Sequence, residues 1–284
     1  MRIGLALGGG SARGLAHIPM LEAFDELGVK PAVIAGCSMG ALVGSLYAGG
    51  MPGKDIREHA LRHLSKRMDF ARHVFGARQT KLNQLFSMSS LLSLRLDGQT
   101  LADLAMPDHL PQNIEDQHIP LKIIATDYET MEEVVFTNGS VTAAVGASIA
   151  IPGVINGPYI NGHLHVDGGV KNPVPFNHVR EDITVAIDVT GRPRKLLGKT
   201  PSSIEIAVGS LLITFNELAA LRRAQGAPDI YITPELDGVG AADFFRVKRI
   251  LDLAQPAKEE LKRMLDQRIE AAINGELSAA FERN

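Results

Sequence analysis

A single cysteine, Cys37, occurs among the 284 residues, which excludes an internal disulfide framework and any multi-cysteine metal cluster. A reducing, cytosolic setting is expected. Strong charge imbalance is also missing: 29 Lys and Arg face 32 Asp and Glu, a net charge of −3, so no overall field recruits nucleic acid. Long hydrophobic runs are absent too. The N-terminal apolar stretch, Ile3 to Leu7, is shorter than the roughly 7 to 15 residues of a signal-peptide core. Val141 to Ile155 and Ile204 to Phe215 are broken by Gly and Pro or bounded by charge, short of the roughly 20 residues a spanning helix needs. The expected location is cytoplasmic, with any membrane contact peripheral, at the inner face. There is no repeat, low-complexity tract or Gly/Ser-rich linker.

What is present reads as an α/β chain. Ile3 to Leu7 is a buried parallel strand feeding Gly8, Gly9 and Gly10, and Leu15, Ile18, Leu21, Phe24 and Leu27 form a helical stripe ended by Gly28. Ala32 to Ala35 is a second strand, and Ala41 to Ala48, small and apolar on every side, a buried helix. This βαβα start predicts a three-layer α/β/α sandwich on a mainly parallel sheet. Further strands are expected at Leu121 to Thr126, Glu133 to Thr137, His163 to Val166, Ile183 to Val189 and Ile230 to Thr233. The chain is expected to form one domain over 1–284. Its final helix starts at Pro256 and packs Ala257, Leu261, Met264, Leu265, Ile269 and Ala272 on the sheet. Gly191 to Ser203 reads as an exposed loop.

Charge is unevenly spread. The segment 54–95 holds nine Lys and Arg against three Asp and Glu, a local +6. Within it Ile56, Ala60, Leu61, Leu64 and Met68 form a stripe beside Lys54, Arg57, Arg62, Lys66 and Arg67. The favoured reading is the solvated face of a packed helix; the alternative is a cap that meets lipid headgroups.

Three constellations carry chemistry. Gly36-Cys37-Ser38-Met39-Gly40 fits G-x-S-x-G, the turn that lifts a serine from a strand end onto a helix N-terminus. Chance gives only about 0.1 such match in this composition, and the pattern falls between a strand and a buried-type helix, where its mechanics require it. Gly8-Gly9-Gly10-Ser11-Ala12-Arg13-Gly14 follows the first strand, where N–H groups free of side chains can converge on an oxyanion or a phosphate. Its G-x-G-x-x-x-G spacing fails the dinucleotide pattern, and Gly198-Lys199-Thr200 lacks the glycine that a P-loop needs at 193. Asp167, followed by Gly168 and Gly169, places a carboxylate at a strand end. The order of an α/β-hydrolase triad does not fit, since the last of nine histidines is His178.

In chain order, the glycine loop, the G-x-S-x-G turn, Ala147-Ser148-Ile149-Ala150-Ile151-Pro152 and Asp167-Gly168-Gly169 resemble the patatin-like phospholipase family over residues 3 to about 180. The resemblance implies a serine acyl hydrolase of lipid esters, free of cofactor and metal. Ser38 would be the nucleophile and Asp167 its base; Gly8, Gly9 and Gly10 would supply the oxyanion hole. Arg13, Gly14, Gly36, Met39, Gly40, Gly168 and Gly169 would support the motifs, Arg13 by bracing the glycine loop. A weakly active lipid-binding regulator is the alternative, and a nucleotide binder ranks last. Two departures are Cys37, read as a small buried strand-end residue, and Pro19, expected to bend its helix. His17 is read as a packed or capping side chain, and His163 and His165 as structural.

Overall fold

The computed structural model describes residues 1–64, 97–191, 200 and 203–281. Its strands are β1 (Ile3–Leu7), β2 (Val33–Cys37), β3 (Leu121–Asp127), β4 (Glu133–Phe136), β5 (Tyr159–Ile160), β6 (His163–Asp167), β7 (Ile183–Ile187) and β8 (Ile230–Ile232). Helices α1 (His17–Glu26), α2 (Met39–Ala48), α3 (Gly53–His59), α4 (Gly98–Ala105) and α5 (Val141–Ser148) precede β5, and α6 (Ser203–Gln225), α7 (Val247–Leu253) and α8 (Gln255–Phe281) follow β7. The expected strands are all present. β1 pairs parallel with β2 and β7, β2 with β3, and β7 with β8, whereas β4 and β6 pair antiparallel with β3. Strands from both ends of the chain thus share one mostly parallel sheet, with helices on both sides.

The period of two along the strands sorts the two faces. Ile3, Leu5 and Leu7 of β1, Ile34 of β2 and Val185 and Ile187 of β7 join one apolar cluster with α1, α2 and α8. Ala6, Ala35 and Ala186 face the other way, under Val174, Phe176 and Ala219 of α6. Large residues therefore fill one layer, and small ones let the other layer lie close.

A 3-10 helix, Ser11–Ala16, leads into α1 at His17. Pro19, expected to bend its helix, stands at the third residue of α1 and not in its interior. Pro19 falls in the first α-helical turn, where a missing N–H costs little. Gly28 takes φ 65°, the left-handed conformation that ends a helix. The hairpin between β5 and β6 turns on Asn161 (φ 54°) and Gly162 (φ 86°), the Asn-Gly signature of a tight turn. α6 was not expected, because Ile206 and Ile213 on its outer side hide the inward spacing of Leu212, Phe215 and Ala219.

The last helix packs as expected, burying Ala257, Leu261 and Leu265, and ion pairs fasten it. Lys258, 7% exposed, lies 3.5 Å from Glu22 and 2.5 Å from Glu26 of α1. Glu22 also receives the Arg57 guanidinium of α3 in a bidentate pair at 2.5 and 2.7 Å. Much of the basic segment 54–95 lies outside the described residues. Of its described side chains, Ile56 and Ala60 are buried, Arg57 is held by Glu22, and Arg62 pairs with Glu58 at 2.5 Å. The loop expected at 191–203 also lies mostly outside them.

Removing Glu22 leaves two partly buried cations without their shared carboxylate. Glu22→Ala is expected to lower unfolding stability in urea by about 3 kcal/mol at pH 7. Glu58→Ala, at a pair exposed on both sides, is expected to change it by less than about 0.5 kcal/mol.

Candidate active site

The site begins where β2 gives out. Cys37 ends the strand and Met39 begins α2, so Ser38 alone makes the turn, with φ 52° and ψ −122°. A non-glycine residue in that region costs about 1–3 kcal/mol and persists only where its surroundings hold it. They do so at several atoms. The Ser38 N–H donates to Ser148 Oγ at 2.8 Å, and the Ser38 carbonyl accepts from Ala41 and Leu42 at 2.9 and 3.1 Å. A Cβ on Gly40 would stand 2.1 Å from the Leu7 carbonyl oxygen, and one on Gly36 would stand 2.6 Å from Ala41 Cα. Only glycine lets the elbow close on β1.

Asp167 reaches the serine through β3. Ile123 and Ile124 pair with both β2 and β4, whereas Ala125 and Thr126 pair with both β4 and β6. β4 therefore occupies one edge of β3, and β2 and β6 share the other. They meet end to end: Cys37 lies opposite Ile124, and Asp167 opposite Ala125. The Ser38 hydroxyl donates to Asp167 Oδ2 at 2.7 Å, and the Gly169 N–H donates to Oδ1 at 2.7 Å. Ser38 is 4% exposed and Asp167 1%. Burial raises the Asp167 carboxyl to about 6, although the Gly169 N–H and the Ser38 hydroxyl both pull it down.

The glycine loop lies beside this pair, but its N–H groups are not equivalent. The Gly8 N–H donates to the Ile187 carbonyl at 2.9 Å and the Gly9 N–H to the Pro173 carbonyl at 2.8 Å. These two N–H groups are spent on holding the loop, which corrects the expectation that all three glycines serve an oxyanion. Gly10 has no such bond among the described residues. A Cβ on Gly9 would stand 3.2 Å from Ser38 Cβ, and one on Gly14 2.3 Å from Met39 Cβ, so loop and elbow are in contact. Arg13 is 2% exposed and gives hydrogen bonds to the Thr190 carbonyl at 2.9 Å and the Val239 carbonyl at 3.2 Å, which tie the segment after the glycine loop to residues 190 and 239. His17 is buried, and its Nε2 lies 2.7 Å from the Gly8 carbonyl. Burial lowers it to about 4, so it is neutral at pH 7 and donates from Nε2.

A family model for patatin-like phospholipases matches residues 5–180, more than half of the chain. The chain belongs to this family. Uncharacterized NTE family proteins of Mycobacterium tuberculosis and Mycobacterium bovis are 36% identical over 194 residues, which is 67% of this chain and 49% of theirs. The neuropathy target esterase sws of Drosophila melanogaster is 33% identical over 199 residues, covering 66% of this chain and 13% of its own. This patatin-like chain thus spans about half the length of the mycobacterial relatives. Among solved structures, VipD from Legionella pneumophila aligns over 92% of this chain and 66% of its own, with 14% identity and a TM-score of 0.47. ExoU aligns over 94% and 53%, with 17% identity and a TM-score of 0.46.

The remaining candidates of this patatin-like chain have structural places. His163 Nδ1 lies 2.9 Å from Asp127 Oδ2, and His165 is buried against Phe136 with its ring centroid 5.4 Å away. No group of three or more metal-ligating side chains occurs among the described residues. Cys37 is fully buried, and burial with nearby Asp167 raises its thiol well above the usual range, which leaves it unreactive. Among the described residues, no helix is long and apolar enough to cross a membrane.

Two contributors escaped the sequence reading. Ser148, fully buried, joins the elbow to β3; its place in the Ala147 to Pro152 block was visible, its partner was not. α6 roofs the cleft over Ser38 and Asp167 with Val208, Leu211, Leu212 and Phe215.

A carboxyl raised from 3.8 to about 6 costs the folded protein stability when it ionises. The stability held by its protonated form is complete below pH 3.8 and lost as pH rises through about 6. Thermal melts across pH 4 to 8 are therefore expected to show Asp167→Asn gaining on the wild type as pH rises from about 4 to about 6, with no gain near pH 4 and a plateau above pH 6. Because both proteins contain His17, the difference isolates Asp167.

Proposed function

We propose that this chain is a serine acyl hydrolase that cleaves fatty-acyl ester bonds of lipids through a Ser38–Asp167 dyad and an acyl-enzyme. The observation that carries this reading is the 2.7 Å contact from Ser38 Oγ to Asp167 Oδ2 at a strained strand-to-helix elbow. Ser38 Oγ attacks the ester carbonyl while Asp167 takes its proton; collapse of the tetrahedral adduct expels the alcohol, which receives that proton. Water, deprotonated by the same carboxylate, then attacks the acyl carbonyl, and collapse of that adduct breaks the ester to Ser38 Oγ, which takes the proton back from Asp167 as the fatty acid leaves. The oxyanion donors are the Gly10 N–H and the Met39 N–H, the latter at the start of α2 with no acceptor one turn back in its helix. Gly8 and Gly9 act by fixing Gly10 in place.

Family membership supports lipid as the substrate class, and so does the apolar roof of Val208, Leu211, Leu212 and Phe215. The roof leaves Ser38 4% exposed, so the first turns of α6 must shift before an acyl chain enters. The same closure suits a protein that binds lipid and turns it over slowly, and turnover separates the two readings.

Fluorophosphonate labelling and hydrolysis of p-nitrophenyl esters test the dyad. Ser38→Ala is expected to abolish labelling, and Asp167→Asn to lower kcat/KM by about 10³-fold or more. In the wild type, kcat/KM is expected to fall about tenfold per pH unit below pH 6, as Asp167 becomes protonated. Labelling retained in Ser38→Ala would overturn the assignment. Val208→Trp, which narrows the roof, is expected to penalise dodecanoyl esters at least tenfold more than butanoyl esters.

A further inference from the structure

Ser148 is the last residue of α5 and is fully buried; among the described residues it has no hydrogen bond to Asp167, and it does not line the cleft. Its hydroxyl has one hydrogen, which it donates to the Ile124 carbonyl at 2.5 Å. At 2.8 Å the same oxygen accepts the Ser38 N–H. The hydroxyl therefore stands between the end of β2 and the edge of β3. Ile124 is the β3 residue opposite Cys37, and the position of a Gly168 Cβ lies 2.2 Å from that same carbonyl oxygen. One peptide carbonyl thus registers three parts of the site: the strand before Ser38, the glycine after Asp167, and the hydroxyl that links them.

We infer that Ser148 is a positioning residue for the proposed reaction: its hydroxyl holds the Ser38 backbone in the left-handed conformation that aims Oγ at Asp167. Two physical requirements meet in this one group. The Ser38 N–H is buried and needs an acceptor, because a buried backbone donor is rarely left unpaired. The left-handed φ of 52° persists only where the surroundings over-determine it. With the hydroxyl gone, the turn can relax and carry Oγ off the carboxylate, and a displacement of about 1 Å can cost 10²-fold in rate. The role also fixes the electrostatics of the elbow. Because Ser148 takes the Ser38 N–H, that N–H does not serve an oxyanion, and the donors fall to Gly10 and Met39.

This inference rests on Ser38 being the nucleophile, and the experiment separates the two. Wild type, Ser148→Ala and Ser148→Thr are compared for kcat and KM on a p-nitrophenyl ester and for the rate of fluorophosphonate labelling. All rates are taken well below each melting temperature, so that a loss of stability alone does not move them. Ser148→Ala is expected to lower kcat and the labelling rate by about 10- to 100-fold with KM within about twofold, and Ser148→Thr, which keeps the hydroxyl, to recover most of the loss. Hydrogen exchange at the Ser38 amide gives a readout free of activity: protected in the wild type and in Ser148→Thr, and exposed in Ser148→Ala. Equal kcat in wild type and Ser148→Ala, or an unchanged Ser38 amide, would overturn the inference. Absence of labelling in the wild type with the exchange difference intact would sink the nucleophile assignment and leave the structural link standing.

Discussion

Everything at this site depends on two strands sharing one edge of a third. β2 and β6 run toward each other along β3 and stop at neighbouring residues, Ile124 and Ala125. A serine at the end of one and an aspartate at the end of the other must then meet, whatever else the chain does. The glycines follow from that crowding. A side chain on Gly168 would strike the Ile124 carbonyl, and one on Gly40 the carbonyl of Leu7. The elbow's strained φ is the local consequence of turning the chain sharply at this junction.

The two faces of the sheet divide the labour. The face carrying Leu5, Leu7, Ile34 and Val185 is a thick aliphatic core that anchors α1, α2 and α8. The other presents Ala6, Ala35 and Ala186, and the segment after Asp167 lies directly on it. That segment ties the motifs together, because the Gly9 N–H bonds to the Pro173 carbonyl and joins the glycine loop to the loop after Asp167. Small side chains on this face are what allow the approach.

Much of this was legible in the sequence because it rests on local rules. Strand lengths, the glycine stop after β1, the elbow pattern and the apolar stripe of α8 each follow from periodicity or turn chemistry within about a dozen residues. What the sequence left hidden is pairing at a distance. Ser148 and Ile124 meet through a hydrogen bond spanning 24 positions, and no spacing rule announces it. The loss of Gly8 and Gly9 as donors follows from the position of Ile187 and Pro173, which also belongs to the assembled sheet. α6 escaped for another reason: a helix apolar on its outer side as well as its inner one loses the amphipathic contrast that marks a helix.

The family match ends at residue 180, and β7 begins at Ile183. A chain cut at that boundary would keep every proposed catalytic residue and still be compromised. β1 would lose β7 and expose five backbone positions, Ile3 to Leu7, as an open edge beside an aliphatic face, a template for pairing with another copy. Glu22 and Glu26 would lose Lys258, and the surface of α1 under α8 would be bare. Sequence similarity marks where the proposed catalytic residues lie, whereas the hydrogen bonds of β1 mark how much chain is needed to hold them in a closed, folded sheet.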